Sequence, residues 1–278
     1  MLIKTTLIFS IVACSQALAS QPCNFDVAES SYVGSNIEQA RCLLRPVGRF
    51  ATTLGKLRPL PKSMEQRLGA QTVEFTKAAF THYLQSQGIS PADIGGSLDE
   101  PLSPKTQYFI IHDTSSPNFG AEAFPDDINN ATWSGNRLKS AKANAHVYVN
   151  RVGESTTKVN LATHQHTTKF EQKDVERRRN LFVGIELIQP RRAYPPGSNR
   201  NNDALAPAPG FTSSQLQRLA VIYLAASSRS GHYLIPAFHA VVDIKIPNGH
   251  DDPQNFDLQA WSDSIDKVID EVHKSSNP

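Results

Sequence analysis

Two patterns of apolar positions divide the chain near residue 105. Before it, Leu68, Val73, Phe75, Ala79, Phe80, Tyr83 and Leu84 give one apolar side to a helix predicted over 63–87. Ser63-Met64-Glu65-Gln66 opens it as a capping box, and Gly88 ends it. Residues 35–44 predict a shorter helix in a stretch otherwise broken by Gly34, Pro46, Gly48, Gly55, Pro59 and Pro61, and residues 90–104 read as a linker. From Gln107 onward β-formers dominate, with strands predicted over 107–113, 145–151 (turning at Gly153), 159–162, 181–188 and 233–238. A second capping box, Thr212-Ser213-Ser214-Gln215, opens a helix that turns Leu216, Leu219, Ala220, Ile222, Tyr223 and Ala226 inward, with Gly231 where a C-terminal cap belongs. Trp261, Ile265, Val268, Ile269 and Val272 mark a last helix over 258–272. Residues 115–137 and 189–210 are long loops, the second holding five prolines and two glycines. Strands alternating with helices predict an α/β fold: a central mixed β-sheet flanked by helices over 105–278, after a partly helical N-terminal extension over 20–104.

Composition adds limits. With 39% hydrophobic and 19% charged residues the chain can bury an ordinary globular core. A formal charge of +2 with no basic stripe argues against nucleic acid as a partner. The cluster Glu176-Arg177-Arg178-Arg179 reads as a solvated face or a contact to an anionic substrate. Lys4, an apolar run from Leu7 to Ala13 and Ala17-Leu18-Ala19 read as a signal peptide over 1–19, so the protein is expected to be exported, either periplasmic or secreted. That run is too short for a membrane span. Ile11-Val12-Ala13-Cys14 also resembles a bacterial lipoprotein cleavage box, which would place a lipid anchor on Cys14. Either reading leaves Cys23 and Cys42 as an even pair in an oxidising compartment, and a bridge between them is expected.

Candidate chemistry collects at strand ends. Side chains alternate faces along a strand. His112 therefore shares a face with Tyr108 and Ile110 at the C-terminal end of its strand, and Glu186 shares one with Phe182, Gly184 and Ile188. A carboxylate among apolar β-formers is costly unless it is paired or hydrogen-bonded. Glu186 is thus either half of a structural ion pair or a general base whose pKa is raised by partial burial. His239 ends another strand, and Gly249-His250-Asp251-Asp252-Pro253 sets His250, Asp251 and Asp252 on a turn. His112, His239 and Asp252 make three ligands with a fourth position open, the pattern of a catalytic zinc site. His164-Gln165-His166 places two imidazoles on one face of an extended segment, where they either bind metal or line a groove; His146 reads as structural, and Tyr148 shares its face. Trp133 and Tyr194 lie in long loops as candidates for stacking on sugar rings.

Five segments in order resemble the zinc-dependent N-acetylmuramoyl-L-alanine amidases that share a fold with peptidoglycan recognition proteins and phage T7 lysozyme. They are Phe109-Ile110-Ile111-His112; Asn144-Ala145-His146-Val147-Tyr148 through Gly153; Gly184-Ile185-Glu186-Leu187; Phe211-Thr212-Ser213-Ser214-Gln215; and His239 followed by Asp243-Ile244 and Asp252-Pro253. The resemblance covers about residues 105–270. It implies Zn2+ held by His112, His239 and Asp252, with Glu186 taking a proton from the attacking water. His250 falls where the family often has a Lys beside the oxyanion. The loop from His239 to Asp252 is longer than in compact members, so His250 in place of Asp252 stands as the alternative ligand. The implied reaction is hydrolysis of the amide between N-acetylmuramic acid and L-alanine in peptidoglycan or muropeptides. A non-catalytic peptidoglycan-binding protein on the same fold, and a zinc hydrolase of another amide, are the competing readings.

Overall fold

The computed structural model describes residues 23–47, 55–138, 145–193 and 204–275. The segment read as a signal peptide, Cys14, Asn144 and Tyr194 lie outside them. The architecture is α/β, with a mixed five-stranded central sheet and helices around it. Strand β3 (Tyr108–Asp113) runs between β6 (Phe182–Leu187) and β9 (Ile235–Phe238), parallel to both. Beyond β6, β4 (Val147–Val149) is also parallel, and β5 (Ser155–Thr157) closes that edge as an antiparallel hairpin partner. The three central strands are near-continuous apolar runs because both sheet faces are covered.

One face, carrying Phe109 and Ile111, packs on α6 (Ser213–Ser230) and α8 (Leu258–Ser275). Phe109 meets Tyr223 edge-on at 5.2 Å between ring centroids and stacks on Trp261 at 6.4 Å. The capping box at Thr212 forms, and Gly231 caps α6 in the left-handed region at φ +81°. The opposite face, carrying Tyr108, Ile110 and His112, is covered by the N-terminal segment. Its β1 (Phe25–Asp26) and β2 (Ser31–Tyr32) form a small hairpin, and α1 (Asn36–Leu43) follows with Ser35 and Glu38 as a capping box. Tyr32 meets Tyr108 edge-on at 5.4 Å; the Tyr108 hydroxyl donates to Gln39 Oε1 at 2.8 Å and accepts from the Tyr32 amide at 2.8 Å. Cys23 and Cys42 are joined, which ties the first described residue to α1. The buried cluster is continuous from Tyr32 through Val272.

Several local expectations are corrected. The helix expected over 63–87 is two, α2 (Lys62–Gly69) and α3 (Lys77–Ser86). Gly69 is a weak helix residue, and Thr76 supplies a fresh N-cap by accepting from the Ala79 amide at 3.1 Å. Ser63 caps nothing; its hydroxyl lies 3.0 Å from that of Ser262. Residues 90–104 are no free linker. Ile94, Leu98 and Leu102 are buried, and Arg229 donates to the Gly95 and Glu100 carbonyls. No strand forms over 159–162. Ser155–Thr157 takes the hairpin role instead, and Lys158 and Val159 both donate to the His146 carbonyl as the chain turns away. Trp133 is buried against Ile128 and Ile188, which removes it as a stacking surface. In the cluster at 176–179, Glu176, Arg177 and Arg179 are exposed as a solvated face would have them, while half-buried Arg178, on α5 (Val175–Arg178), lies 3.7 Å from the Phe170 ring centroid. The loop after residue 189 carries the short pair β7 (Arg192–Ala193) and β8 (Ala204–Leu205). Among the described residues no helix is long and apolar enough to cross a membrane.

The Cys23–Cys42 bridge closes a loop of 19 residues' separation and is expected to stabilise the folded chain by about 3 kcal/mol. A Cys23→Ser/Cys42→Ser variant should show that loss in denaturant unfolding, and an unchanged midpoint would show that the bridge contributes nothing.

Candidate metal centre

Parallel pairing sets the site. His112 is the register partner of Glu186, Tyr148 is level with Glu186 on the far side, and Ile111 pairs with Phe238, so that His239 is the next position along from Phe238. At His239 the chain leaves the sheet into a single helical turn, α7 (His239–Val242). The row Tyr148, Glu186, His112 and His239 thus crosses the C-terminal edge of four adjacent strands, where open α/β sheets present ligand sites.

The donor atoms converge. His112 Nδ1 lies 2.9 Å from His239 Nδ1. His239 Nδ1 lies 3.1 Å from Asp252 Oδ1 and 3.2 Å from His250 Nδ1. His112 Nδ1 lies 3.7 Å from Asp252 Oδ2, and His250 Nδ1 lies 3.9 Å from Asp252 Oδ1. A tetrahedron of donors about 2.0–2.1 Å from a central ion has edges of about 3.3–3.4 Å, which falls within this spread. One proton on His239 Nδ1 can satisfy only one of the acceptors turned toward it, whereas a cation between His112, His239 and Asp252 joins all three. His112, His239 and Asp252 therefore form a buried set able to hold a metal ion, with half-exposed His250 beside it on the cleft side.

Each ligand is oriented from behind. His239 Nε2 faces Asp243 Oδ2 at 3.0 Å, four residues on across one turn. Asp243 is fully buried and also accepts from the Lys169 and Phe170 amides, which fixes its carboxylate. That pairing turns His239 Nδ1 toward the donors. Asp252 accepts from the Asp113 amide at 3.2 Å. Asp113 faces the other side of the sheet, where its Oδ2 accepts from Arg191 Nη2 at 2.6 Å and from the Gln254 amide at 3.3 Å, clamping the Asp252 turn to the end of β3. Asp251 touches no donor of the centre; it accepts from Gln254 Nε2 at 2.7 Å. His146 is structural, as expected. Its Nδ1 accepts from the Gly184 amide at 3.1 Å, so its Nε2–H donates to the Thr163 carbonyl at 3.1 Å. Gly184 is required by close approach, since a Cβ there would sit 2.6 Å from the Thr167 methyl and 2.9 Å from His112 Nε2.

The electrostatics are set by burial and by the carboxylates and imidazoles that face one another. Burial, then His239 and His250, push His112 well below the ordinary imidazole range, so it is neutral as a ligand must be. Burial works against a charged His239, but Asp252 and Asp243 outweigh it and raise the imidazole to about 10. Burial likewise opposes the Asp252 carboxylate, and His239, His112 and His250 hold it below the usual range. Burial, then Asp252 and Asp113, push Glu186 well above the usual range, and its Oε2 is shielded with no hydrogen-bond partner. A divalent cation reverses that last balance and favours the carboxylate.

These groups open on a cleft of about 570 Å³, lined by Glu186, His112, His239 and His250 with Thr114, Asn118, Gln165, His166 and Lys169 among others. Sequence reasoning named the three ligands, Glu186 and His250 but gave no role to Asp243 or Arg191. The signals for the first were the spacing of four residues from His239 and its place in the Asp243-Ile244 segment of the resemblance, and none marked the second. Comparison with protein-family models, with curated proteins and with solved structures finds no match.

Cation uptake must displace the proton from His239 Nδ1. At pH 7 at least one proton should therefore be released per ion bound, from His239, with a further contribution where the cation ionises Glu186, and apparent affinity should climb with pH until about 10, where His239 is already neutral. Calorimetry in buffers of different ionisation enthalpy reads this directly, and release of no proton would remove His239 from the ligand set. Asp243→Asn should weaken the ion about 10–100-fold while leaving the fold intact.

Proposed function

We propose that the chain is a zinc-dependent amide hydrolase that cuts the bond between N-acetylmuramic acid and L-alanine in peptidoglycan or its fragments. The observation that carries the reading is the placement of Glu186: a shielded carboxylate oxygen with no hydrogen-bond partner, on the register partner of His112 in a His, His, Asp donor set, in the lining of a cleft. A donor set of two imidazoles and a carboxylate suits zinc with a position left for substrate. The ordered resemblance of five segments to the amidase family supplies the substrate class and the finer fold, that of peptidoglycan recognition proteins.

His112, His239 and Asp252 would hold the ion, and His250 would stand at its cleft side. When bound, the cation polarises a carbonyl and makes a water acidic enough to attack it near neutral pH. Glu186 is level with His112 on the same sheet face, so its free oxygen can accept a proton from the attacking water. The same carboxyl then returns that proton to the departing amine. His250 is half exposed, and burial and His239 lower its pKa, so it acts as a neutral imidazole. With Nδ1 turned to the ligands, its Nε2–H is the donor left for the carbonyl oxygen as negative charge develops. Asp243 keeps His239 in one tautomer throughout.

Purified peptidoglycan or muropeptides digested with the zinc-loaded protein should yield new L-alanine amines with the glycan intact, read by mass spectrometry. Glu186→Gln should retain the ion and lose turnover by about 10²-fold or more. Full turnover in Glu186→Gln would end its role as base, and glycan and stem peptide left joined by the wild type would end the substrate assignment.

A further inference from the structure

A second group of metal-type donors lies outside the centre described above. His164 and His166 sit two residues apart in an extended stretch, so both rings project the same way. Their centroids are 4.6 Å apart and their planes near perpendicular, at 81°. Glu171 reaches them from α4 (Lys169–Gln172). One donor atom from each of the three lies within 4.8 Å of the others.

Three atoms in this group are shielded from solvent and lack a hydrogen-bond partner: His164 Nε2, His166 Nδ1 and Glu171 Oε1. The other Glu171 oxygen is committed, accepting from the Thr167 amide at 2.9 Å and the Thr167 hydroxyl at 3.2 Å. Those bonds hold the carboxyl rigidly and leave its second oxygen to the imidazoles. Glu171 is 1% exposed, and among the described residues no Lys or Arg forms an ion pair with it. Orphaned polar atoms cost about 1–3 kcal/mol each when buried, and three residues so closely grouped, each with one such atom, suit a common partner. The groups facing them from neighbouring elements are Arg179 and Asn180 beside His164, and Thr168 and Asp243 beside Glu171. A proton can join two of the three donors, whereas a cation joins all three.

We propose that His164, His166 and Glu171 form a second site for a first-row divalent cation, with Zn2+ as its occupant. Two imidazoles and one carboxylate are the donor types such ions take. His166 lines the same cleft as Glu186. The ion therefore fastens the cleft wall at residues 164–166 to α4. The site shares no ligand with the first centre and stands independently of the hydrolase reading.

The test counts ions on the full chain, by elemental analysis after Zn2+ loading and gel filtration and by calorimetric titration with Zn2+. Wild type should hold two ions, His112→Ala/His239→Ala one, His164→Ala/His166→Ala one, and the fourfold variant none. His164 and His166 are only partly buried, so their replacement should leave the circular dichroism unchanged. Glu171→Gln keeps the shape of the side chain and should also lose the second ion. If His112→Ala/His239→Ala does not fold, the difference of one ion between wild type and His164→Ala/His166→Ala decides. Equal ion counts in wild type and His164→Ala/His166→Ala would overturn the second site. One ion in wild type that survives His112→Ala/His239→Ala and is lost in His164→Ala/His166→Ala would uphold this site while removing the first.

Discussion

The hydrogen bonds that hold β3 in parallel register between β6 and β9 place His112 beside Glu186 and one step from His239. Because side chains alternate, a shift of one residue would send His112 or Glu186 through the sheet to the face packed on α6 and α8. Register is fixed by the apolar residues that share each face. Tyr108 and Ile110 must stay under Tyr32 and the N-terminal segment, while Phe109 and Ile111 must stay on Tyr223 and Trp261. Each of these side chains buries enough apolar area to contribute about 1.5–3 kcal/mol, so a slipped register would forfeit several at once. The chemistry at the sheet edge is therefore positioned by packing well below it.

A polar cluster this dense is tolerated at the end of a core because nearly every member has a partner. Asp113 pairs with Arg191, with both side chains at or below 1% exposure, and the pair also anchors Gln254. Asp243 accepts two backbone amides and faces His239. Removing one partner from such buried pairs costs several kcal/mol, more than the pair itself contributes. The atoms left over are informative for that reason. Glu186, on a residue that lines the cleft, keeps Oε2 without a hydrogen-bond partner, and His112 Nε2, close to Gly184, is likewise unsatisfied, so two atoms of the centre are left over although most of its members are paired.

What was legible in the sequence follows from how local each signal is. The short helix after Ser35, the capping box at Thr212, the glycine at 231, the strands that carry His112 and Glu186 and the strand that leads to His239 were readable because each is settled within a few residues. Ser63-Met64-Glu65-Gln66 had the same local form and misled, since Pro61 precedes the helix and the Ser63 hydroxyl finds Ser262 instead. Val159-Asn160-Leu161-Ala162 looked like a strand, but Asn160 Oδ1 accepts from the Ala162 amide and turns the chain. Trp133 looked exposed because loops usually are, and nothing nearby in sequence revealed Ile188 as its partner. The partners of Asp113 and the burial of Glu171 depend on residues or faces that only the folded chain brings together.

Thr167 ties the two donor groups to one another. Its methyl occupies the space that a Cβ on Gly184 would fill, beside His112 Nε2, while its amide and hydroxyl hold Glu171. Asp243 reinforces the link, since the amides of Lys169 and Phe170 at the start of α4 donate to the carboxylate that orients His239. Any change in the position of α4 is therefore transmitted through two hydrogen bonds to the carboxylate that orients His239. The absence of a side chain at Gly184 permits the close approach of Thr167, and together these contacts explain why residues 164–172 belong to the wall of the cleft although no ligand of the first centre lies among them.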